Sequence, residues 1–297
     1  MGREIPYPVA LTELPPAWQE AAARACPGEL RPRLVLYLPA HTMSLLRRGQ
    51  VPDQALLFTA TGLLHLQEEK GRLSARYVPA DAVLALRHTM VLLYGRLDFY
   101  RSGSSLHIEY NTVAERFLHK PLQEFIAGMY GSGAGPGRDA ATQALLRELE
   151  QRNFKFKNGL ELYALLPDEA LSGYVWQPRI TGLLGRVRLP ASLLALTENA
   201  ILYLSEARAK GAAYGWSISW YPRRHLLEQR IEAATPWHRV QWRLGAEGTS
   251  LTEEAQLTPE TAQAWRALSA PRLAPAGTVA HSDPPNPAPN PPSPHPG

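Results

Sequence analysis

Arginine supplies most of what this chain offers as candidate chemistry. Between residues 172 and 244 there are ten Arg or Lys against four acids, a local cationic excess. Arg186 and Arg188 stand two positions apart, so on a strand they share a face. Arg223 and Arg224 follow the alternating run Trp216-Ser217-Ile218-Ser219-Trp220-Tyr221 at a bend marked by Pro222, and Arg239 and Arg243 take the polar positions between Val240, Trp242 and Leu244. A guanidinium presents a planar fork to phosphate or carboxylate. Trp220 and Tyr221 would add an amphipathic surface suited to a membrane interface. Arg186, Arg188, Trp220, Arg223, Arg224, Arg239 and Arg243 are therefore the candidate binding residues. The competing reading is that these arginines solvate the outside of a sheet whose inside is aromatic.

Other chemistries find no matching pattern. No two of the nine histidines lie within four residues of each other, so a helical His-x-x-x-His metal pair is missing. Cys26 is the single cysteine, which rules out an internal disulfide or a thiolate cluster. Gly131-Ser132-Gly133 and Gly103-Ser104-Ser105 lack the strand-to-helix context of a serine nucleophile. The run 131–137, Gly-Ser-Gly-Ala-Gly-Pro-Gly, lacks the Lys-Ser/Thr of a phosphate loop and reads as a linker. Glu68-Glu69 and Glu253-Glu254 read as solvated neighbours, and His65 as a core or semi-buried residue of the first hairpin. No catalytic residue, metal or cofactor is expected.

The elements that must position the arginines are strands. Residues 194–204, Leu-Ala-Leu-Thr-Glu-Asn-Ala-Ile-Leu-Tyr-Leu, form a hairpin signal. They align without a gap to residues 56–66, Leu-Leu-Phe-Thr-Ala-Thr-Gly-Leu-Leu-His-Leu, with Thr197 on Thr59. A self-match of this kind marks a duplicated unit. Alternating runs over 93–100 and 106–111 predict a second hairpin across the turn at Ser102-Gly103. An apolar stripe from Ala114 to Ile126 predicts a closing helix, kinked or restarted at Pro121. Helices are also expected over 17–25, from Asp139 to about Arg152, and over 259–268 behind Thr258.

The division predicted is an arm and helix at 1–29, a first module at 30–130, a linker at 131–138, a helix plus second module at 139–270, and a disordered Pro-rich tail at 271–297. The fold class is α+β, mainly β. Each copy has an apolar hairpin containing Thr59 or Thr197, further antiparallel strands, a polar or basic bend and one terminal helix. This pattern resembles the bacterial pleckstrin-homology-like domains. The resemblance implies a curved antiparallel sheet, partly closed as a barrel, with the terminal helix plugging one end. It also implies binding or scaffolding more than catalysis. The first-strand loops lack the dense Lys/Arg motif that grips inositol phosphates in that family.

At 297 residues and 45% hydrophobic content, two cores can be built. Net charge +4 is too modest for a strong nucleic-acid footprint, and no Gly-aromatic stacking motif appears. The amino terminus has no apolar signal core, and every apolar run falls short of the ~18 residues of a spanning helix. A cytoplasmic address is expected. The leading expectation is a non-enzymatic pair of modules that binds another protein, partly through sheet edges. The alternative is peripheral attachment to anionic lipid through the basic residues of the second module, and nucleic-acid binding is third.

Overall fold

Each self-matching stretch folds as a hairpin closed by its threonine. A computed structural model describes residues 6–42, 50–131, 137–208, 214–246, 249–270 and 272–273. The Thr59 hydroxyl accepts the Gly62 amide at 3.0 Å, and the Thr197 hydroxyl accepts the Ala200 amide at 2.9 Å. A side-chain oxygen that holds the amide across a tight turn fixes where the chain reverses. The paired threonines therefore set the register of both hairpins.

The first half runs α1 (Pro16–Ala25), β1 (Leu34–Leu38), β2 (Gln54–Phe58), β3 (Gly62–Glu69), β4 (Arg72–Pro79), a 3-10 turn at Ala80–Ala82, β5 (Val83–Val91), β6 (Tyr94–Arg101), β7 (Ser104–Asn111) and α2 (Glu115–Tyr130). The second half repeats that order. It runs α3 (Ala140–Arg152), α4 (Phe154–Asn158), β8 (Leu171–Gln177), β9 (Ser192–Thr197), β10 (Ala200–Arg208), β11 (Tyr214–Pro222), a 3-10 turn at Arg223–His225, β12 (Leu226–Ala234), β13 (Trp237–Ala246), β14 (Thr249–Leu257) and α5 (Pro259–Ser269). Even an irregularity recurs: β5 carries a register shift between Val83 and Ala85, and β12 carries one between Leu226 and Glu228. Helix α2 continues through Pro121 as one element. The stripe Leu118, Leu122, Phe125 and Ile126 is buried on both sides of the proline, so packing holds the helix where propensity would break it.

All pairing is antiparallel. Strands β1 to β4 form one sheet, with Tyr7–Pro8 added outside β1, and β12 to β14 form another. Between them lies a seven-stranded sheet in the order β7, β6, β5, β11, β10, β9, β8. Its middle is the junction of the halves: β11 pairs with β5 from Gly215↔Val91 to Trp220↔Leu86. The two halves are thus joined by a continuous ladder. The predicted Gly-rich linker falls mostly outside the described residues, as does nearly all of the predicted Pro-rich tail.

Three apolar clusters follow from this layering. Leu56, Leu63, Leu86 and Phe99 pack with α2 inside the first half. Leu194, Ile201, Trp242 and Trp265 pack inside the second, joined by Leu84 and Ala85 of β5. Helix α1 covers the outer face of the first sheet through Trp18 and Ala22 on Leu57 and Leu64. The first of these clusters also spans the junction, since Leu146, Leu149 and Phe156 of α3 and α4 and Leu193, Leu202 and Leu204 of the second half belong to it. Fully burying each such Leu or Phe contributes about 2 kcal/mol, so these covers are integral to the fold.

The second core contains one polar group that both tryptophans need. Gln229 Oε1 accepts both the Trp242 and the Trp265 indole N–H at 2.9 Å, while Gln229 Nε2 donates to the Ser269 hydroxyl at 2.8 Å. Replacing Gln229 by Leu leaves two indole donors unpaired in an apolar setting. Urea unfolding should show a loss of about 2–5 kcal/mol.

Glu169 is a buried carboxyl beside the second hairpin. It accepts the Thr197 hydroxyl at 2.5 Å and the Leu166 amide at 3.2 Å, and burial pushes its pKa from 4.5 up to about 7. A folded pKa above the unfolded one means that this group favours the fold at low pH and loses that contribution as pH rises from 4.5 to 7. The stability of the wild type relative to Glu169→Gln should fall by about 3 kcal/mol across that window. A pH-independent difference in urea midpoints would refute the assignment.

Candidate interaction surface

The seven arginine-rich candidates do not converge. Trp220 is only 1% exposed and its indole donates to the Ala164 carbonyl at 2.8 Å. It lies on the outer face of the second half's first sheet, beneath the segment that follows α4, and Tyr221 is buried on the opposite face. An aromatic membrane surface at 220–221 is therefore excluded by packing. Arg223 is spent on the hairpin, donating to the carbonyls of Thr197 at 3.3 Å and Glu198 at 2.9 Å, and to that of Arg272. Arg224 donates to the Asp81 carbonyl at 2.8 Å, tying the two equivalent 3-10 turns together. Arg239 pairs with Glu254 at 3.4 Å and Arg243 with Glu228 at 3.3 Å. Arg186 and Arg188 remain exposed on the ribbon between β8 and β9, whose strands Ile180–Thr181 and Val187–Leu189 pair with each other.

A polar row crosses the junction instead. Ser219, Arg87, Asp98 and His107 stand directly opposite one another on β11, β5, β6 and β7. Arg87 is salt-bridged to Glu253 of β14, and its guanidinium lies 5.7 Å from the Tyr100 ring centre. Asp98 accepts from Arg96 Nε at 2.6 Å and lies 2.5 Å from His107 Nδ1, while Ser105 Oγ is 2.9 Å from His107 Nε2. The order Ser105, His107, Asp98 is that of an activated serine. Here, however, Arg96 shares the same Asp98 oxygen, and Ser105 is exposed on the outermost strand of the sheet. Open water at that position competes with any stabilisation of a developing oxyanion. The row is best understood as the polar side of the junction.

Glu253 shows what sequence reading missed. It is 8% exposed and facing Arg87, not solvated. Burial raises its pKa against the pull of Arg87. The signal was present in the alternation of β14, where Glu253 shares a side with Ala255 and Leu257. Removing Arg87 alone strands a buried carboxylate. Arg87→Met should cost about 3–5 kcal/mol, and adding Glu253→Gln should restore most of it. Additive losses in a double-mutant cycle would show that the pair is not coupled.

The surface left open lies at the far side of the second half. β12 is an edge strand of its sheet, with no strand on its outer side among the described residues. Beside it a groove of about 510 Å³ runs against α5, lined by Leu226, Leu227, Gln229, Ile231, Arg266 and Leu273. Leu227 is 54% exposed. Arg266 donates to the Ile231 carbonyl at 3.3 Å, so that carbonyl faces the open edge. Within a strand a residue's N–H and C=O leave on the same side, and alternate residues repeat the direction. Gln229, Ile231 and Ala233 thus present their main chain outward.

No family model matches this chain, and no similar curated protein is found. Among the described residues no helix is long and apolar enough to cross a membrane, and no group of three or more His, Cys, Asp or Glu is placed to hold a metal ion.

Proposed function

We propose that the protein is a non-catalytic binding protein built from two pleckstrin-homology-like modules, and that its second module takes an extended protein segment on the open edge of β12. The observation that carries this reading is internal. β5, the counterpart of β12, already accepts an antiparallel strand, β11, along the same edge. What β5 does within the chain, β12 is built to do with a partner. Main-chain hydrogen bonds would supply affinity, and the groove against α5 would take alternate side chains. The element order of each half, seven antiparallel strands and a closing helix, supports the module assignment. The dispersal of the arginines among carboxylates and carbonyls weakens the anionic-lipid alternative.

Peptides selected from a random library on the full chain test this. They should bind wild type and slow hydrogen exchange at the amides of Ile231 and Ala233. Ile231→Pro removes an outward donor at an edge position, where proline is tolerated, and should abolish binding, while Ile231→Ala, which loses the same packing on the second core but keeps the amide, should retain it. Selected peptides that bind Ile231→Pro as well as wild type would place the site elsewhere.

A further inference from the structure

Two edges of this molecule are halves of a contact it already makes once. The β11–β5 ladder joins the fourth strand of the second half to the fifth strand of the first. The remaining counterparts are β4, the fourth strand of the first half, and β12, the fifth strand of the second. Each is at the edge of its sheet among the described residues. They lie at different places on the chain, so a single contact between two copies leaves one β4 edge and one β12 edge open.

We propose that the partner of β12 is β4 of a second copy of this chain, in the register of the internal junction. This rests on the edge-binding reading above and names its partner. The equivalence is fixed by the hairpins: Gly62 faces Pro79 as Ala200 faces Pro222, and Val91 faces Tyr94 as Ala234 faces Trp237. Gly215↔Val91 then becomes Arg72↔Ala234, Ile218↔His88 becomes Ala75↔Ile231, and Trp220↔Leu86 becomes Tyr77↔Gln229. On one face Leu73, Ala75 and Tyr77 would meet Ala233, Ile231 and Gln229, continuing the groove. On the other, Arg76 lies diagonally between Glu228 and Glu232, within reach of both. Arg230 stands directly opposite Arg76, and Glu228 already holds Arg230 at 2.5 Å.

The covers permit the contact. Helix α1 lies on the outer face of β4 as the α3–α4 layer lies on that of β11, and the latter leaves the β11 edge free to pair. Arg266 must release the Ile231 carbonyl when the strand docks. The copies of Glu253 and Tyr221 at the new contact are Leu106 and Val78, so the buried ion pair of the internal junction is not repeated. The contact is consequently weaker than the internal one and reversible. Because it is heterologous, it makes open chains, or closed rings whose size is set by the rotation at each contact.

Sedimentation of the full chain over a concentration series tests the proposal. Wild type should grow in mass beyond a dimer as concentration rises. Ala75→Pro, which removes the outward amide of β4, and Ile231→Pro should each stay monomeric alone. Mixed, they should give a discrete heterodimer, since one retains its β12 edge and the other its β4 edge. A second route avoids proline: Arg230→Glu, which sets an acid directly opposite Arg76 in place of a like charge, should lower the dissociation constant about fivefold, and adding Arg76→Glu should cancel the gain. A wild type that is monomeric throughout, or self-association that survives both proline variants, overturns the proposal. Selected peptides that still bind the monomeric chain at β12 would leave the edge-binding reading standing, so the two failures are distinguishable.

Discussion

The pairing of β11 with β5 is the constraint on which the molecule depends. A strand edge in a folded core must find partners for its N–H and C=O groups, and here each half completes what the other lacks. The ladder fuses a four-stranded and a three-stranded sheet. It also brings Leu84 and Ala85 of the first half into the core of the second, and it sets Arg87 against Glu253. Neither half is complete as an independent body, because the first contributes part of the second's interior.

A shared element order carrying different side chains accounts for the asymmetry of the surfaces. The paired threonines, the matching register shifts and the matching 3-10 turns are shared. The side chains that decide contact are not. Arg87 corresponds to Arg230, yet Glu253 corresponds to Leu106. The internal junction holds the Arg87–Glu253 pair, while the counterpart edge carries Arg230 and Glu232 exposed. An edge strand lined by Glu228, Arg230 and Glu232 resists indiscriminate pairing, as edges of natural sheets commonly do.

Local order was legible in the sequence because its signals are local. Thr59 and Thr197, the alternation around Trp216 to Trp220, and the caps Asp139 and Thr258 each act within a few residues, and the side chains of Asp139 and Thr258 cap their helices. The fate of the arginines was not legible. Arg87 finds Glu253 across the fold, which nothing in spacing announces, and Arg243 meets Glu228 across the β12–β13 hairpin in a register shifted by an irregularity at Leu226–Glu228. Trp220 misled for a related reason: its strand alternates as a half-exposed strand does, but the segment following α4 covers what would have been the wet side. The open edge of β12 could be inferred only once β11 was seen to choose β5.

The separation of the paired strands along the chain has a consequence for biogenesis. β5 is synthesised more than a hundred residues before β11, so its edge must wait, unpaired, while the linker, α3, α4 and three further strands emerge. During that interval it is a template for any passing strand. Arg87, at the centre of that strand, is costly to bury until Glu253 arrives from β14. A charge in the middle of an unpaired edge disfavours stray pairing, and here its counter-charge is made last, on β14, after β11 has emerged.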